Sequence, residues 1–145
     1  MLINSAKINF YSQISKRIVS LWCYLLANCA KMEPLSTSVR LTFLGTGTSQ
    51  GVPVIGCDCA VCCSDDERDH RLRTSAMVEV GCRRFIIDAG PDFREQMLRE
   101  GVSHITAILL THKHKDHIGG LDDVRALNFV DYPREIHTVH IYATH

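Results

Sequence analysis

The pattern of apolar and polar positions predicts extended segments in the middle of the chain, before any helix. The run VRLTFLG, residues 39–45, has the β-branched and aromatic content of a strand and ends at a glycine. A long turn-rich loop follows, through residue 62. The runs SAMVEV and RRFIIDAG, residues 75–80 and 83–90, are separated by two residues around Gly81 and predict a hairpin.

Helical spacing begins after this hairpin. DFREQMLRE, residues 92–100, predicts a helix that ends at Gly101. Asp92 and Glu95 have the spacing of a capping box. Phe93 and Met97 lie one turn apart and should face the core.

The last part of the chain alternates between strand and helix. ITAILLT, residues 105–111, is an apolar run typical of a buried strand. Residues 119–130 return to helical spacing, and TVHIYA, residues 138–143, predicts a final strand. This order indicates a layered α/β fold, in which ligand sites collect at the loops that follow strands.

Composition and charge narrow the possible functions. The chain has 145 residues, which favours one domain, and its 46% hydrophobic and 22% charged residues argue against disorder. A net charge of +0 makes nucleic acid and anionic membranes unexpected partners. The 7 cysteines are an odd number, and three stand in CDCAVC, which favours metal binding over disulfides. We therefore expect a reducing, cytoplasmic location.

The sequence of residues 1–31 does not resemble that of the predicted domain, and it is interpreted as a leader or a non-native extension. Residues 18–27, IVSLWCYLLA, are too short to span a bilayer but long enough for a signal-peptide core. The preferred interpretation is a non-native extension, with translation starting at Met32. The domain then covers residues 32–145.

Four metal-ligand side chains stand close together in ILLTHKHKDHIGG. His112 and His114 share one side of an extended loop, and Asp116 and His117 can turn to the same cavity as a helix begins. Imidazole and carboxylate groups suit zinc, with manganese or iron as competitors. Two pairs of ligands suit two neighbouring ions, which could grip a substrate oxygen from both sides. Gly119 and Gly120 would let the backbone pass close to metal or substrate. The alternative is a solvated loop that binds nothing.

A second ligand pattern is C-x-C-x-x-C, formed by Cys57, Cys59 and Cys62. Three neighbouring thiolates repel one another unless a cation or protons neutralise them, and zinc with a fourth ligand does so well. The alternative is a loop of free thiols.

The charged segment DERDHRLRTS contains Arg68, Arg71 and Arg73. A solvated surface loop is the preferred interpretation, and a guanidinium contact to a phosphate is the alternative. Five other histidines show no ligand spacing: His70, His104, His137, His140 and His145.

THKHKDHIGG resembles the HxHxDH signature of the metallo-β-lactamase superfamily. LTFLGTGTSQGVP looks like the first strand and glycine loop of its phosphodiesterase-like members and of the tRNA 3′-processing endonuclease. The resemblance implies an αββα sandwich, two sheets between helical layers, with a two-metal site at one edge. FIIDAG resembles the strand whose aspartate, here Asp88, lies beneath the metals. A carboxylate that caps a helix just before Pro91 is the alternative for Asp88.

GVPVIGCDCAVC is similar to the phosphoribosyl cyclic phosphodiesterase subfamily, which carries a structural zinc on such a loop. The resemblance implies hydrolysis of a small cyclic phosphodiester. Two divalent ions, zinc or manganese, would bind His112, His114, Asp116 and His117, with Asp116 also catalytic. A third ion, a structural zinc, would bind the three cysteines.

The resemblance covers residues 39 to about 128, and such sandwich domains need roughly 200–250 residues. We therefore expect residues 32–145 to be the N-terminal half of the domain, with further metal ligands beyond His145. The alternative function is a catalytically inactive, metal-binding fragment. A second copy of the chain stays open as a partner.

Overall fold

The computed structural model describes residues 38–143. The predicted leader over residues 1–31 and the start at Met32 lie outside the described residues. Within them, one sheet has the strand order β1-β2-β3-β4-β5. The strands are β1 (Val39–Gly45), β2 (Ser75–Val80), β3 (Arg83–Ile87), β4 (Ala107–Leu110) and β5 (His140–Ala143). The helices are α1 (Phe93–Arg99), α2 (Lys115–Ile118) and α3 (Val124–Asn128), with short 3₁₀ turns at Glu67–Asp69 and Leu121–Asp123.

The sheet is mixed. β1, β2 and β3 pair in antiparallel fashion, and the β2–β3 pair confirms the predicted hairpin. β3, β4 and β5 are parallel. Parallel neighbours require crossover connections, which α1 provides between β3 and β4, and α2 with α3 between β4 and β5. The carboxyl ends of these three strands therefore meet at one edge of the sheet.

The core lies between one face of the sheet and the helices. Met77, Ile86 and Ile108 stand side by side across β2, β3 and β4 and are at most 4% exposed. Phe93 and Met97 of α1 pack against them, as predicted. Full burial of an apolar side chain of this size contributes about 1.5–3 kcal/mol. This face holds the crossover helices, and with them the loops at the carboxyl edge.

The opposite face of β1 remains apolar and exposed. Val39, Leu41 and Phe43 alternate along this strand and are 65%, 54% and 66% exposed. The described residues thus supply one sheet with helices on one of its faces. Among the described helices, none has the length and apolar character needed to cross a membrane.

The predicted capping box at α1 is wrong. Asp92 occupies the N-cap position but makes no side-chain cap hydrogen bond. Its carboxylate instead accepts hydrogen bonds from the Arg73 amide at 2.7 Å and the Arg73 guanidinium at 2.5 Å. The ion pair with Arg73 thus takes the oxygens that a cap would use, and Arg73 is not the solvated side chain expected. Arg68 is solvated as expected, with a side chain 89% exposed beside Asp66.

Candidate metal centre

The HxHxDH side chains follow directly from the end of β4. His112 and His114 lie in the extended loop after the strand, and His114 is the N-cap residue of α2. Asp116 and His117 lie on α2, which begins at Lys115 rather than after Gly119 as the spacing predicted. The early helical turn brings these two side chains back towards the loop.

The rings of the cluster are in contact. The His112 ring centroid lies 4.6 Å from that of His114 and 3.9 Å from that of His117. Asp116 Oδ2 lies 3.2 Å from His117 Nε2. The structure therefore brings together all four side chains that the spacing singled out.

Asp88 supports this cluster from beneath. It lies directly after β3, is 3% exposed and has a φ of 63°. Its Oδ1 accepts a hydrogen bond from the Thr111 amide at 2.8 Å. Its Oδ2 lies 2.8 Å from Thr111 Oγ1 and 2.7 Å from His117 Nδ1. The carboxylate thus binds the metal-ligand loop, and it does not cap a helix.

These hydrogen bonds determine which ring nitrogens stay free. The single hydroxyl proton of Thr111 goes to Asp88, so Thr111 Oγ1 accepts from His112 Nδ1 at 2.9 Å. His117 likewise donates its Nδ1 proton to Asp88. In the neutral form, each ring with its proton on Nδ1 has an unprotonated Nε2, the atom that a metal ion binds.

The sequence analysis did not identify two residues that hydrogen-bond Asp88. Thr111 carries the hydroxyl that links Asp88 to His112, and its only signal is its place immediately before the first histidine. Ser75 donates its hydroxyl to the Asp88 carbonyl at 2.9 Å, and no pattern in the sequence marks it.

Glycines let two loops meet beneath the cluster. A Cβ on Gly90 would lie 2.1 Å from the Asp116 carbonyl oxygen, and one on Gly120 would lie 2.1 Å from the Gly90 carbonyl oxygen. The close approach predicted for Gly119 and Gly120 is therefore made to protein backbone and to Pro91. A side chain at Gly90 would push α2 and its two ligands out of place.

The donor set fits a bound cation. When a neutral His117 ring donates its Nδ1 proton to Asp88, its Nε2 lone pair lies 3.2 Å from the carboxylate oxygen Asp116 Oδ2, and both atoms can bind a cation. Two ligands at about 2.0–2.1 Å from a tetrahedral zinc lie about 3.3 Å apart. Among the described residues, no three of these four side chains have ligand atoms that all lie within 4.8 Å of one another.

The three cysteines of the C-x-C-x-x-C pattern also come together. The Sγ atoms of Cys57, Cys59 and Cys62 all lie within 4.8 Å of one another. Hydrogen bonds from the Cys62 backbone and from the Cys57 thiol lower the pKa of Cys59 to about 7. For Cys62, the Val54 amide lowers the pKa, but the Cys57 thiol and burial outweigh it, so the pKa is raised. Neighbouring thiols in this group thus have pKa values shifted in opposite directions. A bound cation would stabilise all three as thiolates.

The sequence analysis did not identify a third group. His104 and His137 have no ligand spacing along the chain, yet the structure brings both against Asp131. His70 and His140 are exposed.

Comparisons with known proteins place this geometry in a family. Residues 83–145 match the model of the Beta-lactamase superfamily domain. A solved structure of a diphosphatase from the PhnP family aligns with a TM-score of 0.65 and 45% identity, over 74% of this chain and 51% of that protein. Zn²⁺-bound PqqB from Methylobacterium extorquens aligns with a TM-score of 0.52 and 24% identity, over 74% of this chain and 50% of that protein. The latter likeness concerns the fold alone.

Two curated relatives share sequence with this chain. Over 90 residues it is 50% identical to an octanoyltransferase from Porphyromonas gingivalis, covering 61% of this chain and 18% of that protein. Over 101 residues it is 35% identical to coenzyme PQQ synthesis protein B from Methylobacterium radiotolerans, covering 60% of this chain and 34% of that protein. The chain thus spans about half the length of the two solved structures and a smaller part of these two relatives.

Proposed function

The chain belongs to the metallo-β-lactamase superfamily, and on that basis we propose that its gene product is a metal-dependent hydrolase of phosphodiesters, with a small cyclic phosphodiester as substrate. The observation that carries the proposal is the Asp88 carboxylate, 2.7 Å from His117 Nδ1 and linked through Thr111 to His112. A buried carboxylate that fixes the orientation of two imidazoles is the usual support of a metal centre.

His112, His114, Asp116 and His117 would hold two divalent ions, zinc or manganese. When bound, the ions supply a Lewis acid and a water that ionises near neutral pH. The 3.2 Å separation of Asp116 Oδ2 and His117 Nε2, which suits two ligands of one ion, supports this assignment.

Asp116 is the proposed catalytic residue. Its carboxylate lies on α2, with Oδ2 3.2 Å from His117 Nε2. There it would bind metal and accept a hydrogen bond from the attacking water, which orients that water towards phosphorus. The negative charge matters as much as the shape, because it holds the hydrogen-bonded water in one orientation.

The choice of a phosphorus-containing substrate rests on two observations. The 45% identical solved structure is a diphosphatase from the PhnP family. The cysteine loop resembles that of the cyclic phosphodiesterase subfamily, and its three Sγ atoms lie close enough for one structural zinc. A net charge of +0 argues against a long nucleic acid as substrate.

The test is hydrolysis of bis-p-nitrophenyl phosphate and of a ribose cyclic phosphate by the gene product loaded with zinc or manganese. We expect metal-dependent turnover that is lost, together with bound metal, in the double variant His112→Ala, His114→Ala. The variant Lys113→Ala is the matched control, since Lys113 lies between the two histidines with an exposed side chain. Metal bound at this cluster without hydrolysis of either ester would reject the proposed activity and leave a metal-binding protein.

A further inference from the structure

Three side chains from two separate loops meet at the other end of the parallel strands. His104 lies between α1 and β4, whereas Asp131 and His137 lie between α3 and β5. Their ligand atoms all lie within 4.8 Å of one another. Since β4 has four residues, at about 3.3 Å per residue roughly 13 Å of strand separates this group from the HxHxDH cluster.

One carboxylate oxygen lies at the centre of the group. Asp131 Oδ2 is 2.9 Å from His104 Nε2 and 2.5 Å from His137 Nε2. The two rings are nearly perpendicular, at 85°, with centroids 5.1 Å apart. Both imidazoles therefore point Nε2 at the same carboxylate oxygen, so the three atoms that could bind a small cation already lie side by side.

Each ring has an acceptor near its other nitrogen. Ser103 Oγ lies 3.0 Å from His104 Nδ1. Glu135 Oε1 lies 3.9 Å from His137 Nδ1, on a side chain that is 68% exposed and can close this gap by rotation. A metal ion would replace the Nε2 protons that point at Asp131, and each ring would then carry its proton on Nδ1, as in established histidine sites.

The charge of the group also favours a cation. Hydrogen bonds from His104 and then from His137 lower the pKa of Asp131. The carboxylate is therefore ionised at neutral pH and faces two imidazoles.

We propose that His104, Asp131 and His137 bind a divalent transition-metal ion of the zinc class, at a site separate from the HxHxDH cluster and the cysteine loop. Two imidazoles and a carboxylate are borderline ligands that suit zinc, and three protein ligands leave one position for water. The side chains are 48%, 44% and 30% exposed, so the ion enters from solvent and exchanges readily.

The bound ion would tie together the two loops that precede β4 and β5. Among the described strands, β5 lies at the edge of the sheet and pairs with β4 alone. The His137 amide already donates to the Asn128 carbonyl at 2.9 Å, which holds the second loop on α3. An ion across His104 and His137 would add a link from this loop to the start of β4.

The competing interpretation is a hydrogen-bonded link with no metal. Contacts of 2.9 and 2.5 Å are shorter than the separation of about 3.3 Å between two ligands of a tetrahedral zinc. For an ion to enter, Asp131 Oδ2 must therefore move several tenths of an ångström away from the two Nε2 atoms, which its exposed side chain allows. Without a metal site, zinc would leave these rings and the stability of the chain unchanged.

The experiment counts zinc ions on the full chain by titration against a chromophoric chelator, with zinc as the probe and magnesium as the control ion. Two-dimensional NMR of the imidazole nitrogens identifies which ring atoms bind. The double variant His104→Ala, His137→Ala is compared with His140→Ala, a matched control because His140 is exposed and three residues from His137. Asp131→Asn is a milder variant that keeps the shape of the side chain.

We expect the double variant to bind one zinc ion fewer than the parent chain, and His140→Ala to bind the same number. Asp131→Asn should weaken zinc binding at this site at least about 10-fold, because removing a ligand costs no less than removing its outer support. In the parent chain, zinc should shift the Nε2 signals of His104 and His137, and magnesium should not. Equal zinc counts in the folded double variant, or unshifted Nε2 signals in the parent at saturating zinc, would overturn the proposal. The parent spectra decide the question if the double variant does not fold.

Discussion

The two histidine groups at opposite ends of β4 are built in different ways. At the carboxyl end, four ligand residues lie within six positions, and a carboxylate that is 3% exposed supports them. At the amino end, the three residues come from two loops 27 positions apart, and their support is a serine and an exposed glutamate. The HxHxDH cluster thus combines ligands that are close in sequence with a buried supporting carboxylate, whereas the His104 group has neither of these features.

Burial of the support determines how firmly the ligands are held. Asp88 is fixed by three hydrogen bonds from Thr111 and His117 in a buried position. Asp131 has a side chain that is 44% exposed and rotates more freely. We therefore expect tight, preorganised metal binding at the carboxyl end and exchangeable binding at the amino end.

The largest expected effect is that of Asp116→Asn on catalysis in the gene product. The amide keeps the shape of the side chain but removes the charge that orients the water, so kcat should fall by roughly 100- to 10,000-fold. KM should change much less. Steady-state kinetics with bis-p-nitrophenyl phosphate measure both, and Asp123→Asn, an exposed carboxylate on the next turn, is the control. An unchanged kcat would remove Asp116 from the chemistry.

Asp88→Asn tests whether the buried support makes the difference between the two ends. Asparagine tolerates the φ of 63°, so the backbone should stay in place. The amide presents one donor group where two acceptor oxygens are needed, and metal affinity at the HxHxDH cluster should fall about 10- to 100-fold. Competition with a chelator measures the affinity, with exposed Asp122→Asn as control. Parent-like affinity would show that the histidines orient themselves without Asp88.

The cysteine loop tests sequence proximity without a buried carboxylate as support, since its three cysteines are close in sequence, two are exposed and Cys62 is only partly buried. Cys59→Ser should lower the Tm of the zinc-loaded protein by several degrees, because a lost zinc site removes ligand-linked stability. The kcat per folded molecule should stay near that of the parent. Thermal unfolding with and without zinc checks this, and Cys82→Ser, an exposed cysteine outside the group, is the control. A loss of kcat with an unchanged Tm would place these cysteines at the chemistry instead.

The smallest effect is expected for Ser103→Ala at the amino end. Its hydroxyl contacts His104 Nδ1 at 3.0 Å, but water can replace it at this exposed position. Zinc affinity at the His104 group should therefore fall less than tenfold. This loss is smaller than the roughly 10- to 100-fold loss expected when a buried group that hydrogen-bonds a metal ligand is removed. Thr111→Val at the carboxyl end is the matched comparison, and equal losses in the two variants would contradict the role given to burial.

Local patterns were enough to predict most of the strands and helices. β1 and β2 have the predicted bounds, and Phe93 and Met97 face the core as their spacing required. Residues 119–130 were less regular than predicted, since a 3₁₀ turn at Leu121–Asp123 precedes α3. The Gly120 amide bonds to the Ala89 carbonyl across the two loops, a contact that no helical pattern reveals.

The sequence by itself determined the HxHxDH cluster and the cysteine group, because neighbours within six positions are brought together by the local course of the backbone. Only the tertiary structure decided what supports them. Asp88 reaches Thr111 and His117 across 23 and 29 positions, Arg73 reaches Asp92 across 19, and His104 reaches Asp131 across 27. Asp88 and His104 meet their partners because β3, β4 and β5 run parallel, which brings the loops at each end of these strands side by side. Arg73 meets Asp92 because β2 and β3 are antiparallel, which places the start of β2 beside the end of β3. Strand order depends on the packing of the whole sheet against its helices, and spacing along the chain carries no record of it.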